Sequence, residues 1–372
     1  MKKKLLALVC ALVMIFSLAS CGLSTPDTVG KVGDFEVSSG LYLLAQFSAY
    51  QQAAQLAGTD QDTTDVKAFL KETITTDADS GETAVVQDYV ADKTLETLRT
   101  FAAIDARFAE LGGELTAEQT QMADNYAQQL MDQYGSTYTA NGIGLETLKA
   151  FERIQLKYTL LLTLVYGPDG ESPVDDSDLT EHLDSQMYEL AYVNIPLYNT
   201  STFAFASDDQ KAEMLSLAQK AVDSYNASAP ADAVRQFTAF NEVSSAALSG
   251  IYAVLDSTVP TDGTASLQTE LLSSSTLDSA FSTEGSADTI RSLSFGQAAA
   301  VQYSSLSMML AVRLDPLDGA ALDDVRAQVL ADLKSDELQD ALAAYGASMQ
   351  HSLDSSAMGK LPARKIAAAS SN

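Results

Sequence analysis

Few residues in this chain are of the types that do chemistry, and their spacing excludes most reactions. The only histidines are His182 and His351, and the only cysteines are Cys10 and Cys21. Three acidic pairs, Asp175-Asp176, Asp208-Asp209 and Asp323-Asp324, could suggest a cation site. Adjacent residues diverge on a helix, however, and no glycine-punctuated calcium loop surrounds them. They read as helix-start charges that complement the helix dipole. There is no phosphate-cradling glycine loop, no dinucleotide fingerprint and no G-x-S-x-G elbow. Tryptophan is absent, and the tyrosines are scattered in the manner of packing residues rather than sugar-stacking ones. The expectation is a protein with no cofactor, no metal and no catalytic residues of these kinds.

The N-terminus carries a different chemistry. Lys2-Lys3-Lys4 precedes an apolar run from Leu5 to Phe16, too short to span a bilayer comfortably, and Leu18-Ala19-Ser20-Cys21 follows. This stretch resembles a bacterial lipobox. The resemblance implies cleavage before Cys21 and diacylglycerol transfer to its sulfur; the alternative is an ordinary secretory signal that happens to contain cysteine. Cys10 lies in the segment that is discarded, so the mature chain has neither free thiol nor disulfide, which argues against thiol chemistry and cysteine-ligated zinc. The 50 acidic and 22 basic residues give a formal charge of −28, which repels polyphosphate, so nucleic acid is excluded as a partner. Mean hydropathy near zero excludes a multi-span membrane protein.

The elements that position the rest centre on residues 88–166. Leu95, Leu98, Phe101, Ile104, Phe108 and Leu111 recur at steps of three and four, a helical stripe ended by Gly112-Gly113. Thr116-Ala117-Glu118-Gln119 predicts a capping box, opening a second helix with Met122, Tyr126, Leu130 and Tyr134 along one side. A third helix carries Leu145, Leu148, Phe151, Tyr158, Leu162 and Val165 and stops at Gly167-Pro168. None of the three can hide its stripe alone, so they must pack together. Upstream, Val29–Val37 predicts a hairpin about Gly33-Asp34, of type II′ because glycine stands first, and Ser38 and Ser39 offer a helix N-cap. Thr59–Ala84 reads as a surface insertion. Downstream, Leu190–Leu197 reads as a strand and Asp208–Tyr225 as a helix. The Ser/Ala/Thr-rich stretch Ala227–Glu284 shows one expected strand at Ile251–Leu255. A turn at Leu293–Ala298 then leads to a strand within Val301–Leu314. Leu322, Val325, Val329, Leu333, Leu338, Leu342, Tyr345 and Met349 mark a long final helix.

This order, hairpin, serine cap, helical hub with a Leu-Gly-Gly turn followed by Leu115-Thr116-Ala117-Glu118, then a small α+β segment and a last helix, resembles the PrsA/SurA family of extracytoplasmic chaperones. The resemblance implies a parvulin-type prolyl isomerase module, whose family pocket carries two histidines. Here the first motif falls on Asn194-Ile195-Pro196 and the second on Ser307-Met308-Met309-Leu310, so Asn194 and Met308 stand where the histidines belong. The glycine-rich pocket segment is reduced to Gly250. Asn194 either hydrogen-bonds a bound peptide or is a polar strand residue bonded to its neighbours; Met308 is core filler or a remnant pocket wall.

The expected fold is mainly α with an inserted α+β module: a SurA/PrsA-like helical chaperone domain plus a degenerate parvulin-like domain. Residues 1–20 form a signal peptide and 21–28 a tether. Residues 29–187 form the helical domain, to which 322–349 return; 188–317 form the module, and 350–372 a disordered tail. The resemblance implies a membrane-anchored extracytoplasmic chaperone whose partners are unfolded or newly secreted polypeptides. The competing expectations are an active prolyl isomerase with a rebuilt pocket and a solute-binding lipoprotein.

Overall fold

The structure, a computed structural model, describes residues 26–58 and 61–368, so Cys21 and the expected signal segment lie outside the described residues. In chain order the elements begin with β1 (Thr28–Val32), β2 (Phe35–Ser38) and α1 (Ser39–Ala57). Next come α2 (Val66–Phe69), β3 (Thr73–Asp77), β4 (Glu82–Val85) and the hub helices α3 (Val86–Glu110), α4 (Ala117–Ala140) and α5 (Leu145–Tyr166). They are followed by α6 (Asp176–Gln186), β5 (Met187–Pro196), α7 (Asp208–Asn226) and α8 (Ala233–Ala253). Then follow β6 (Gln268–Ser273), α9 (Ser274–Ala280), α10 (Ser286–Arg291), β7 (Ala298–Gln302) and β8 (Ser307–Leu314). The chain closes with α11 (Leu322–Ser348), β9 (His351–Leu353), α12 (Ser355–Met358) and a 3-10 turn at Ala363–Lys365. This is a mainly α chain with a β module.

Two units are formed, Met1–Val165 with Asp336–Asn372, and Tyr166–Ser335. The divisions fall at the end of α5 and inside α11, not at residues 187 and 322. Leu179 and Leu183 of α6 are fully buried, and the α6 residue Asp176 is tied within the second unit by Arg326 of α11 at 2.8 Å.

In the first unit the local signals act as expected. The Ser38 side chain accepts from the Leu41 N–H at 3.1 Å, and Thr116 and Gln119 complete a reciprocal capping box. Gly33 has φ +55°, as the first central position of a type II′ turn requires. The tail is folded, contrary to the expected disorder of 350–372 over its described part. β9 pairs antiparallel with β1 to give the sheet order β2-β1-β9, because β1 would otherwise leave a row of main-chain groups unpaired. Gly30 permits that approach: at φ +119°, an added Cβ would lie 2.3 Å from the Ser352 carbonyl oxygen. The segment expected as a surface insertion is a packed hairpin, with Phe69 and Ile74 joining Tyr50, Ala53 and Val90 in one apolar cluster. The stripe expected to bury α4 is also corrected. Ala123 and Ala127 face inward, while Met122, Tyr126 and Tyr134 are 42%, 53% and 47% exposed.

The second unit is a four-stranded antiparallel sheet, order β6-β5-β8-β7, covered on both faces. Met214, Ala218 and Val222 of α7 and Phe240, Leu248 and Ile251 of α8 cover one face, against Val193, Ile195, Met308 and Leu310. Leu277 of α9, Phe281, and Ile290 of α10 cover the other, against Leu190, Met309 and Ala311. Burial on both sides explains why β5 and β8 are nearly continuous apolar runs. Ile251–Leu255 is not a strand: residues 251–253 end α8, whose buried row includes Gln236 and Ser244 among apolar residues and so blurs the periodicity. The expected single strand in 301–314 is a hairpin of β7 and β8.

Candidate functional site

The two sequence-inferred pocket positions are not brought together. β5 and β8 pair with Ile195 opposite Met308 and Asn194 opposite Met309. Residues directly opposite share a face and successive residues alternate, so Asn194 and Met308 lie on opposite faces of the sheet. Met308 is fully buried beneath α7 and α8, a core residue. Asn194 is exposed, and its Oδ1 accepts from the Tyr303 hydroxyl at 3.0 Å. On the same face, the Tyr192 hydroxyl donates to Glu270 Oε2 at 2.9 Å. Burial first, and the Glu270 carboxylate second, push that phenol up to about 12, so at neutral pH it is a donor and not a base. These groups bond one another rather than converging on a space where a twisted amide would sit. His182 is elsewhere, its Nε2 2.7 Å from Asp332 Oδ2, and His351 is an exposed residue of β9 opposite Val32. The acidic pairs sit at the starts of α6, α7 and α11, as read from sequence. Among the described residues, no group of three or more His, Cys, Asp or Glu side chains is placed to hold a metal ion.

A different feature stands out at the end of β5. Between Leu197 and Ala206 the chain makes a tight loop that holds Phe203 and Phe205 each 72% exposed. Tyr198 supports both rings, stacked near-parallel on Phe203 at 6.3 Å between centroids and edge-on to Phe205 at 6.5 Å. The loop is tied down by main-chain bonds: Phe203 N–H donates to Asn199 O at 2.8 Å, and Asn199 N–H to Ala204 O at 2.9 Å. The Asn199 side chain does the rest. Its Oδ1 accepts from the N–H groups of Ser201 and Thr202, both at 2.9 Å, and its Nδ2 donates to Leu255 O at 2.8 Å. Phe203 has φ 57°, a left-handed conformation that a bulky L-residue adopts at a cost of about 1–2 kcal/mol. The surrounding bonds over-determine a strained backbone, and the outcome is an aromatic pair presented to solvent. In sequence Phe-Ala-Phe looks like any apolar alternation; the run Asn199-Thr200-Ser201-Thr202 before it is the turn signal.

No protein-family model matches the chain, and no curated protein matches it by sequence. Among solved structures, the chain is similar to foldase protein PrsA from Streptococcus pneumoniae str. Canada MDR_19A. The identity is 14%, covering 78% of this chain and 94% of that one, with a TM-score of 0.35. It is also similar to the foldase protein (PrsA) from Lactococcus lactis, at 13% identity, covering 91% of this chain and 99% of that one, with a TM-score of 0.32. Among the described residues no helix is long and apolar enough to cross a membrane.

Proposed function

We propose that this chain is an extracytoplasmic polypeptide-binding chaperone, tethered through Cys21, that holds extended apolar segments of unfolded proteins without catalysing prolyl isomerisation. The observation that carries the proposal is the aromatic loop. Two phenylalanines at 72% exposure, kept out of the core by a bonded and strained backbone, leave apolar area to be buried by something else. The exposed Met122 and Tyr126 on α4 add a second apolar surface of the adaptable kind that suits varied sequences. The charge of −28 repels other copies and favours client segments with basic residues beside the apolar ones.

Reversible capture of this sort suppresses aggregation by mass action: an apolar segment held by the chaperone is withdrawn from the encounters that aggregate it. No chemical step is needed. Isomerase action is a different demand, because the X–Pro barrier of about 18–20 kcal/mol falls only where polar groups favour the twisted amide. Asn194 and Met308 face opposite sides of the sheet, and the polar groups near Asn194 satisfy one another.

One preparation tested in two assays decides the matter. Aggregation of a reduced, unfolded client should be suppressed, and the suppression should be lost in the Phe203→Gly/Phe205→Thr double variant. A proline-limited refolding reaction should proceed at its uncatalysed rate. Faster refolding that Asn194→Ala abolishes would establish an isomerase instead. No effect in either assay, with thermal stabilisation by a small solute, would establish a solute-binding protein.

A further inference from the structure

The C-terminal tail packs on the first unit as a 3-10 turn, Ala363–Lys365, followed by an extended stretch that begins at Ile366. Asn141 caps α4 and is 8% exposed. Its Nδ2 donates to the Ala367 carbonyl at 3.1 Å, and its Oδ1 accepts from the Ala367 N–H at 2.9 Å. A second Nδ2 bond, to Thr137 O at 2.9 Å, fixes the amide in this orientation. One side chain thus pairs with both main-chain groups of one residue, as a neighbouring strand would, and this recognition ignores the side chain of the residue held. Just before it, Ile366 is extended (φ −55°, ψ 132°) and inserts between two apolar clusters, one including Phe69 and Val90 and the other Leu44 and Leu148.

Two spaces open to solvent flank the tail. A cavity of about 320 Å³ bounded by Leu43, Gln46, Asn141 and Gly142 lies along one stretch of it. Another of about 250 Å³, bounded by Tyr42, Gln46, Leu70 and Val90, lies beside Pro362–Arg364. Each is many times the roughly 30 Å³ share of one water molecule. On the tail side the first space is bordered by Leu361, Pro362, Lys365 and Ile366 and the second by Pro362, Ala363 and Arg364, so space remains beside the side chains already seated there. The tail is also basic, through Lys360, Arg364 and Lys365, in a chain of charge −28.

We propose that this cleft is a binding site for a segment of a client polypeptide that makes one turn and then runs extended, as the tail does. The segment has a branched apolar residue with basic residues on its N-terminal side, and the residue after the apolar one is read by the Asn141 amide. Residues 362–368 are the resident occupant that a client displaces. The proposal deepens the polypeptide-binding reading and rests on it. It locates a second contact that recognises main chain, distinct from the aromatic loop that recognises apolar surface.

The test uses a labelled peptide, Leu-Pro-Ala-Arg-Lys-Ile-Ala-Ala-Ala-Ser, matching residues 361–370. It should bind a chain ending at Gly359 about tenfold or more tightly than it binds the full chain, where the resident tail competes. Asn141→Leu in the shortened chain should weaken binding by about tenfold or more, since the peptide's amide and carbonyl lose their partners. A shortened chain that melts cooperatively yet does not bind the peptide, or binds equally well with Asn141→Leu, overturns the proposal. The full chain supplies a check that does not depend on the truncation folding. An excess of a reduced, unfolded client should speed hydrogen exchange at the Ala367 amide, and unchanged exchange overturns the proposal. The aggregation assay on Phe203 and Phe205 is read separately. Suppression that depends on those rings without peptide binding removes this site and leaves the chaperone reading in place; peptide binding without suppression supports this site and removes that reading.

Discussion

Replacing Phe203 by glycine should weaken client binding while costing the fold about 2 kcal/mol at most, a combination that separates a contact residue from a structural one. The ring is 72% exposed, so roughly three quarters of its surface remains to be desolvated by a partner. Full burial of a phenylalanine contributes about 1.5–3 kcal/mol, so the part left for the client is about 1–2 kcal/mol, or about 5- to 30-fold in Kd. On the stability side three small terms oppose one another. Glycine relieves about 1–2 kcal/mol of left-handed strain at φ 57°. It forfeits about 0.4–0.8 kcal/mol from the quarter of the ring already buried, together with the stacking on Tyr198, and costs about 0.5–1 kcal/mol through greater freedom of the unfolded chain. Strain, burial and chain freedom sum to within about 1 kcal/mol of zero, and the stacking, about 0.5–1.5 kcal/mol, takes the change to a loss of about 2 kcal/mol at most. The assay is the anisotropy of a labelled unfolded client, paired with thermal melting of each variant. Unchanged affinity would refute the contact. A loss of more than about 2 kcal/mol in stability would show instead that the ring anchors the loop, and the exposed-platform reasoning would be wrong.

Two further outcomes follow from the sequence and the second unit. Metabolic labelling with a fatty-acid probe should mark the chain in a lipoprotein-processing host and disappear in Cys21→Ala, since that change removes the acyl-accepting sulfur; undiminished labelling would remove the tether from the proposal. Glu189 on β5 is half-buried, and burial, then the Asp315 charge, raise its carboxyl above the ordinary value of 4.5. The folded state therefore binds a proton more readily than the unfolded one, and this group's contribution to stability falls as pH rises from 4.5 through its raised value. Glu189→Gln should melt higher than the parent at pH 7, with the gap narrowing as pH is lowered through that window. A gap that is constant with pH would show that charge burial is not its cause.

Local chemistry was legible in the chain and tertiary pairing was not. The Ser38 cap, the Thr116–Gln119 capping box and the glycine of the Gly33-Asp34 turn each depend on groups within a few residues of one another, and each is present as read. The three hub helices follow from stripes of the same short range. What their stripes face is another matter. Met122 and Tyr126 recur at helical spacing, yet α4 turns Ala123 and Ala127 inward, because helices distant in sequence decide which side has a neighbour. The strand and tail assignments failed for the same reason. Gln236 and Ser244 sit in the buried row of α8, where burial by the sheet overrides polarity. The small, basic residues after His351 looked unfit to fold, yet they complete the edge of β1 and the amide pair of Asn141, partners that lie far back in the chain. The pocket positions turned on a single step of register. With Ile195 opposite Met308, the residue that shares a face with Asn194 is Met309. A slip of one residue carries a side chain to the other face of a sheet, and only the pairing of β5 with β8 sets that parity.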